Sequence, residues 1–183
     1  MTFMGIARNF HPTWRGWPLI DTLIAGKRSL SDSALSSTLK QNNALRLAVN
    51  DFYRPWWQRI GAQHLSQDLA NIYMDFYIHK PGPAVKIMQQ VLNAQFFTGL
   101  AVDGAPGPNT NSAVKQYDSK KLYNAYRNAR LQYYQDQRYI SPTFWQAWVN
   151  RVKNNFPAQA VSAFGGLMLL GSVSALVYYS LKT

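Results

Sequence analysis

The sequence contains no cysteine and no glutamate. Without cysteine there is no disulfide, no thiolate metal site and no thiol nucleophile, and composition carries no mark of redox compartment. Without glutamate, all eight acidic residues are aspartates: Asp21, Asp32, Asp51, Asp68, Asp75, Asp103, Asp118 and Asp136. Carboxyl chemistry therefore has only the shorter side chain to work with. Histidine is nearly as scarce, and His11, His64 and His79 fall at no metal-ligand spacing, so neither a metal nor any other cofactor is expected. No stretch alternates apolar and polar residues with period two, which leaves an all-α fold as the expectation.

What is present is basic and aromatic. The 183 residues are 47% hydrophobic and 14% aromatic, enough for one domain with a core plus an appendage. A formal charge of +11 and a pI near 10 imply attraction to something anionic, such as an acidic lipid surface, a cell-wall polymer, an acidic protein or nucleic acid.

Along the chain, residues 1–30 are rich in Gly, Pro and Trp with no period and read as an irregular arm, mature rather than a secretory signal. From Ser31 a helix is expected, with Leu35, Leu39, Leu45, Val49 and Phe52 on one face, ending at Arg54-Pro55. A second runs from Leu65 to Phe76 and stops at "KPGP"; Pro83 opens a third carrying Val85, Met88 and Leu92. A fourth, capped by Asn109 or Thr110, begins near Ser112. The stripe Leu122, Tyr126, Ala129, Tyr133 marks a long helix, and Ser141-Pro142 opens another through Trp145, Trp148, Val149 and Val152.

The last segment differs in kind. Ala160 to Leu181 is twenty-two residues without a charge, which as a helix would span about 33 Å and match a bilayer core. Tyr178, Tyr179 and Lys182 near its end, and Arg151 and Lys153 before it, suit interfacial anchors. The expected organisation is an arm (1–30), a helical domain (31–157) and a single-pass C-terminal membrane anchor (158–183). With no N-terminal signal, the basic domain would lie on the cytoplasmic side, on a host inner membrane or a virion's internal membrane.

The stretch "VDGAPGPNT" reads locally as a tight turn at Asp103-Gly104 followed by a Gly107-Pro108 corner. With its surroundings it resembles the Asp-Gly…Gly-Pro-x-Thr turn of the predicted peptidoglycan-binding part of glycoside hydrolase family 108 muramidases, which include phage endolysins. "DFYRPWWQRIGAQHL" is similar to a family segment ending in a Tyr-Trp pair. "MDFYIHKPG" resembles Asp-Phe-x-x-Asn-x-Gly, with Asp75 and Phe76 matching and His79 in place of Asn. "AYRNARLQYYQ" resembles an Arg-x-x-x-Tyr helix through Arg130 and Tyr134, and "FWQAWVNRV" resembles Phe-x-x-Gly-Trp-x-x-Arg-Val. These motifs cover Leu30 to Ala160. The resemblance implies a lysozyme-like helical domain with peptidoglycan as partner, and binding candidates Trp56, Trp57, Asp75, His79, Asp103 and Gly104.

The family's catalytic part carries a Glu-Gly-Gly motif whose glutamate protonates the leaving glycosidic oxygen, and this chain has neither. Asp21, the one acidic residue in the first thirty, is a weak substitute with nothing catalytic beside it. Trp56-Trp57 could stack on sugar rings, although core packing accounts for them better, because neighbouring residues on a helix end do not readily face one ligand. The basic and aromatic run from Lys120 to Tyr139 suits nucleic acid, but Tyr126 and Tyr133 fall on the apolar stripe, so nucleic acid is not expected as a partner. The favoured expectation is a membrane-anchored, non-catalytic, muramidase-derived phage virion protein, linking a membrane to capsid or cell wall. The alternative is a membrane-bound muramidase whose acid has moved to an aspartate.

Overall fold

The structure, a computed structural model, describes residues 1–26 and 31–161. The apolar segment expected to span a membrane, 160–181, lies outside the described residues from 162 onward. Among the described residues no helix is long and apolar enough to cross a membrane. The described chain is mainly helical and divides into two units, 1–56 and 57 onward.

The first unit opens with a hairpin of β1 (Thr2–Phe3) and β2 (Ile6–Ala7), antiparallel, with Thr2 opposite Ala7 and Phe3 opposite Ile6. Helix α1 (Gly16–Ala25) follows. Residues 1–26 therefore hold more order than the irregular arm expected of them. Two-residue strands are too short to show alternation, and Gly16 and Pro18 mask the start of a helix whose Pro sits in the first turn, where its missing N–H costs no bond. Next come α2 (Asp32–Gln41), whose N-cap Ser31 accepts from the Ala34 N–H, and α3 (Asn43–Arg59). The expected single helix from Ser31 is thus two, broken at Asn42, whose Oδ1 accepts from the Leu45 N–H at 3.0 Å and caps the second. The expected stop at Pro55 is also absent: Pro55 is exposed, and the carbonyl it leaves without a helical partner belongs to Asp51, which is half-exposed. Ile6, Trp14, Trp17, Ile20, Leu39, Leu45 and Ala48 form this unit's core. Both indoles are satisfied within it: Trp14 Nε1 donates to the Ala48 carbonyl and Trp17 Nε1 to that of His11.

The second unit contains α4 (Gln67–His79), α5 (Pro81–Phe96), α6 (Pro108–Gln116), α7 (Lys120–Asp136) and α8 (Trp145–Asn155). Helix α7 packs against α4, α5 and α8. Leu69, Ile72, Phe76, Val85, Met88, Leu92, Leu122, Tyr126 and Val152 are buried. Two starts move from the expected positions. The turn at Ser141-Pro142 forms, with Ser141 O accepting from Phe144 and Trp145 N–H groups, yet α8 begins only at Trp145. Helix α6 begins at Pro108, with Gly107 rather than Asn109 or Thr110 as N-cap. Asp118 ties the α6–α7 turn to the start of α4 by accepting from the Ser66 backbone N–H and, at 2.8 Å, from its hydroxyl.

Candidate functional site

The aspartates decide what acid chemistry is within reach. Asp21, on α1, is gripped through both oxygens by Arg8 at 2.7 and 2.8 Å. These hydrogen bonds, with the arginine charge, hold its carboxyl below the ordinary range against a smaller opposing push from desolvation. Asp51 is paired with both Arg15 and Arg54. Trp56 lies on the same helix and packs edge-on against Phe52 and Tyr53, at 5.7 and 5.6 Å between ring centres. Trp57 is half-buried and falls in the second unit, so the tryptophan pair straddles the division between units.

In the second unit, Asp75 and His79 stand one turn apart on α4 and enter a polar cluster with α7 and α8. The Arg130 guanidinium is fully buried and donates to Asp75 Oδ2 at 2.5 Å, to the Ile72 carbonyl at 3.3 Å and to Tyr134 Oη at 3.3 Å. From α8, Arg151 donates to both Asp75 oxygens. Burial pushes the Asp75 carboxyl up, but the Arg151 hydrogen bonds and the Arg130 charge outweigh it and hold the group below the usual range. Tyr134 Oη lies 2.8 Å from His79 Nδ1. Burial lowers the His79 pKa, and Lys80, Arg130 and Arg151 add to that, with Asp75 opposing. Phe76, Tyr134 and Phe156 stack around the Arg130 guanidinium. These groups pair with one another and weld three helices together, although the buried Arg130 Nε has no hydrogen-bond partner.

Asp103 and Gly104 sit apart from that cluster, on the 97–107 connection between α5 and α6. Two side-chain amides one turn apart on α5 pin this loop. Gln89, itself buried, donates to Asp103 Oδ1 at 2.8 Å, Thr110 Oγ1 at 3.0 Å and the Ala105 carbonyl at 3.3 Å, and accepts from the Gly104 N–H at 3.0 Å. Asn93 donates to the Leu100 carbonyl and accepts from the Leu100 N–H and the Thr98 hydroxyl. Gly104 has φ +77, and a Cβ there would approach the Gly82 carbonyl to 3.2 Å, so the turn and the close approach both require glycine. The Ala105 N–H, and after it Gln89, hold the Asp103 carboxyl below its ordinary range. Between loop and helices lies an open cleft of about 590 Å³.

Residues 83–153 match the family model described as Predicted Peptidoglycan domain, and residues 1–80 match Glycosyl hydrolase 108. The chain is a muramidase-like protein of the glycosyl hydrolase 108 type. The tandem match abuts at "KPGP", between α4 and α5, and reaches the first residue, farther toward the N-terminus than the quoted motifs extend. No curated protein and no solved structure matches the chain.

Of the residues singled out from the sequence, the structure brings together Asp75 with His79, and Asp103 with Gly104; Asp21 is tied to Arg8. The motif residues Arg130, Tyr134, Trp148 and Arg151 all converge on the Asp75 cluster, which their separate places in the sequence did not reveal. Gln89 and Asn93 were not singled out as a pair. The available signal was two amides at i and i+4 immediately before a glycine-rich loop, a spacing that puts both on one helix face.

Proposed function

We propose that this protein holds cell-wall glycan without cutting it, and that its C-terminal segment ties it to a membrane. The observation that carries the first half is the state of the carboxyl groups. Cleaving a glycosidic bond needs a carboxylic acid that keeps its proton until the leaving oxygen takes it. The sequence has no glutamate, and Asp21, Asp75 and Asp103 are all held below the ordinary range, the direction opposite to what a proton donor needs. A relocated acid at Asp21 finds no support in its two-pronged pairing with Arg8.

Wall binding draws its support from the match over 83–153 and from the cleft beside Asp103. Membrane attachment draws its support from the sequence alone: an uncharged segment at 160–181 with basic residues on both flanks. The family's phage endolysins suggest the setting of a virion with an internal membrane, where a +11 domain held at the lipid surface would face acidic headgroups or capsid.

Release of reducing ends from purified sacculi tests the catalytic half. The full chain and Asp21→Asn should both release none above the blank; release that disappears in Asp21→Asn would make the protein an enzyme. Alkaline extraction of membranes tests the anchor. The full chain should stay with the bilayer and a chain ending before residue 160 should not, whereas full-chain protein in the supernatant removes the anchor from the account.

A further inference from the structure

We infer that the cleft beside the 97–107 loop is a saccharide subsite, with Phe97 as the platform on which a sugar ring stacks. This rests on the wall-binding reading and adds where the glycan sits. Phe97 follows the last residue of α5 with φ 55, a left-handed position that helix ends commonly give to glycine and that strains an L side chain. Packing does not account for it. Its neighbour Phe96 stacks on Tyr117 at 4.6 Å beneath Lys121, whereas the Phe97 ring is 90% exposed. A strained backbone that presents an unpacked aromatic ring, directly before Thr98 on the cleft wall, is what a ligand contact explains and the fold does not.

The cleft supplies the rest. Its volume of about 590 Å³ lies in the range of small-molecule sites, and Gln89 and Asn93 hold its loop by six hydrogen bonds, with a seventh from Gln89 to Thr110 on α6, so no ordering remains to be done on binding. Gln89 and Thr110 are satisfied within the protein. What the wall offers a ligand is backbone at Gly99 and Ala101, and the first turn of α6 at Asn109, which no side chain caps. An anionic ligand would meet the ionised Asp103, and a wholly apolar one would strand these polar groups. A sugar ring, with hydroxyl or amide groups on its rim and an apolar face for Phe97, satisfies both demands. Gly107 fits the same picture: its φ of −80 is open to any residue, and an added Cβ would meet no atom within 4 Å, so no internal packing calls for glycine on this wall.

Saturation-transfer NMR and calorimetry with chito-oligosaccharides, on the full chain in a sugar-free detergent, test the inference. The wild type should bind. Phe97→Gly should weaken binding by about tenfold while leaving the melting temperature unchanged or raising it by about 2 °C, because the left-handed strain is relieved. Gly107→Leu should block the cleft and, because it replaces the N-cap glycine of α6, lower the melting temperature by no more than about 5 °C, and Phe144→Ala, at an exposed ring elsewhere, should bind as wild type. Unchanged affinity in both Phe97→Gly and Gly107→Leu, or no oligosaccharide binding by the wild type, overturns the subsite. Sedimentation with sacculi at high salt separates the two levels. Wild-type and variant chains that pellet equally would leave wall binding standing and remove this subsite, while a wild type that stays in solution removes wall binding itself.

Discussion

Asp75 and Arg130, fifty-five positions apart on α4 and α7, meet at 2.5 Å in a place where the guanidinium has no exposure to water. Arg151 closes the pair from α8, so one carboxylate serves two arginines. Asp75→Asn leaves Arg130 charged and buried without its counter-ion, and breaking such a pair costs about 3–5 kcal/mol. Arg151 is largely exposed, and its loss leaves the buried pair intact, so Arg151→Ala should cost about 1 kcal/mol or less. Urea titrations of the two variants should differ accordingly; equal losses would mean that the buried pair is not the anchor of α4 against α7.

Acid should weaken the second unit in two stages. The His79 pKa is lowered on folding, so the unfolded chain binds the extra proton first as pH falls below its ordinary value of about 6.5. Stability contributed by neutral His79 is complete above that value and is lost as pH drops toward the folded one. Asp75, also lowered, contributes stability that is complete above its unfolded value of about 3.9 and is lost below it. Denaturant midpoints measured across pH should show both declines. His79→Gln should remove the first and keep the second; an unaltered first decline would assign it elsewhere.

Much of this was legible in the sequence, and the failures have physical causes. Helices α4, α5 and α7 follow from their apolar spacing, even though α5 is buried nearly all round from Ile87 to Leu92. Helix α1 was hidden because its glycine and proline serve the approach of Trp14 and the helix start, signals that read as irregularity. Asp75 and His79 could be singled out because both fall within one motif of the family resemblance. Their partners could not, since Arg130 and Arg151 arrive through tertiary packing of α7 and α8. Phe97 was illegible because a helix end in the left-handed conformation is normally announced by glycine.

Gly16 illustrates the hidden helix start. A Cβ there would lie 2.2 Å from the Trp14 ring, and that ring is fixed by its indole bond to the Ala48 carbonyl. Gly16→Ala should therefore destabilise the first unit by about 1–3 kcal/mol, as overpacking does. Tryptophan fluorescence during unfolding is the readout, and a neutral result would mean that Trp14 can move aside freely.

Gln89 should prove to be the residue that shapes the loop. Gln89→Leu removes its partners from Asp103, Thr110, Ala105 and Gly104 at once and leaves polar groups unsatisfied, a loss of about 1–3 kcal/mol. Hydrogen exchange should rise across 98–107 while α7 stays protected. Faster exchange in α7 instead would make Gln89 a general core residue.

The most direct test of the account places the full chain with purified sacculi at high salt, where nonspecific attraction of a +11 protein is screened, and assays pellet and supernatant together. Binding without cleavage predicts protein in the pellet and no reducing ends in the supernatant. Reducing ends that accumulate with time, or protein that remains wholly in solution, would contradict it.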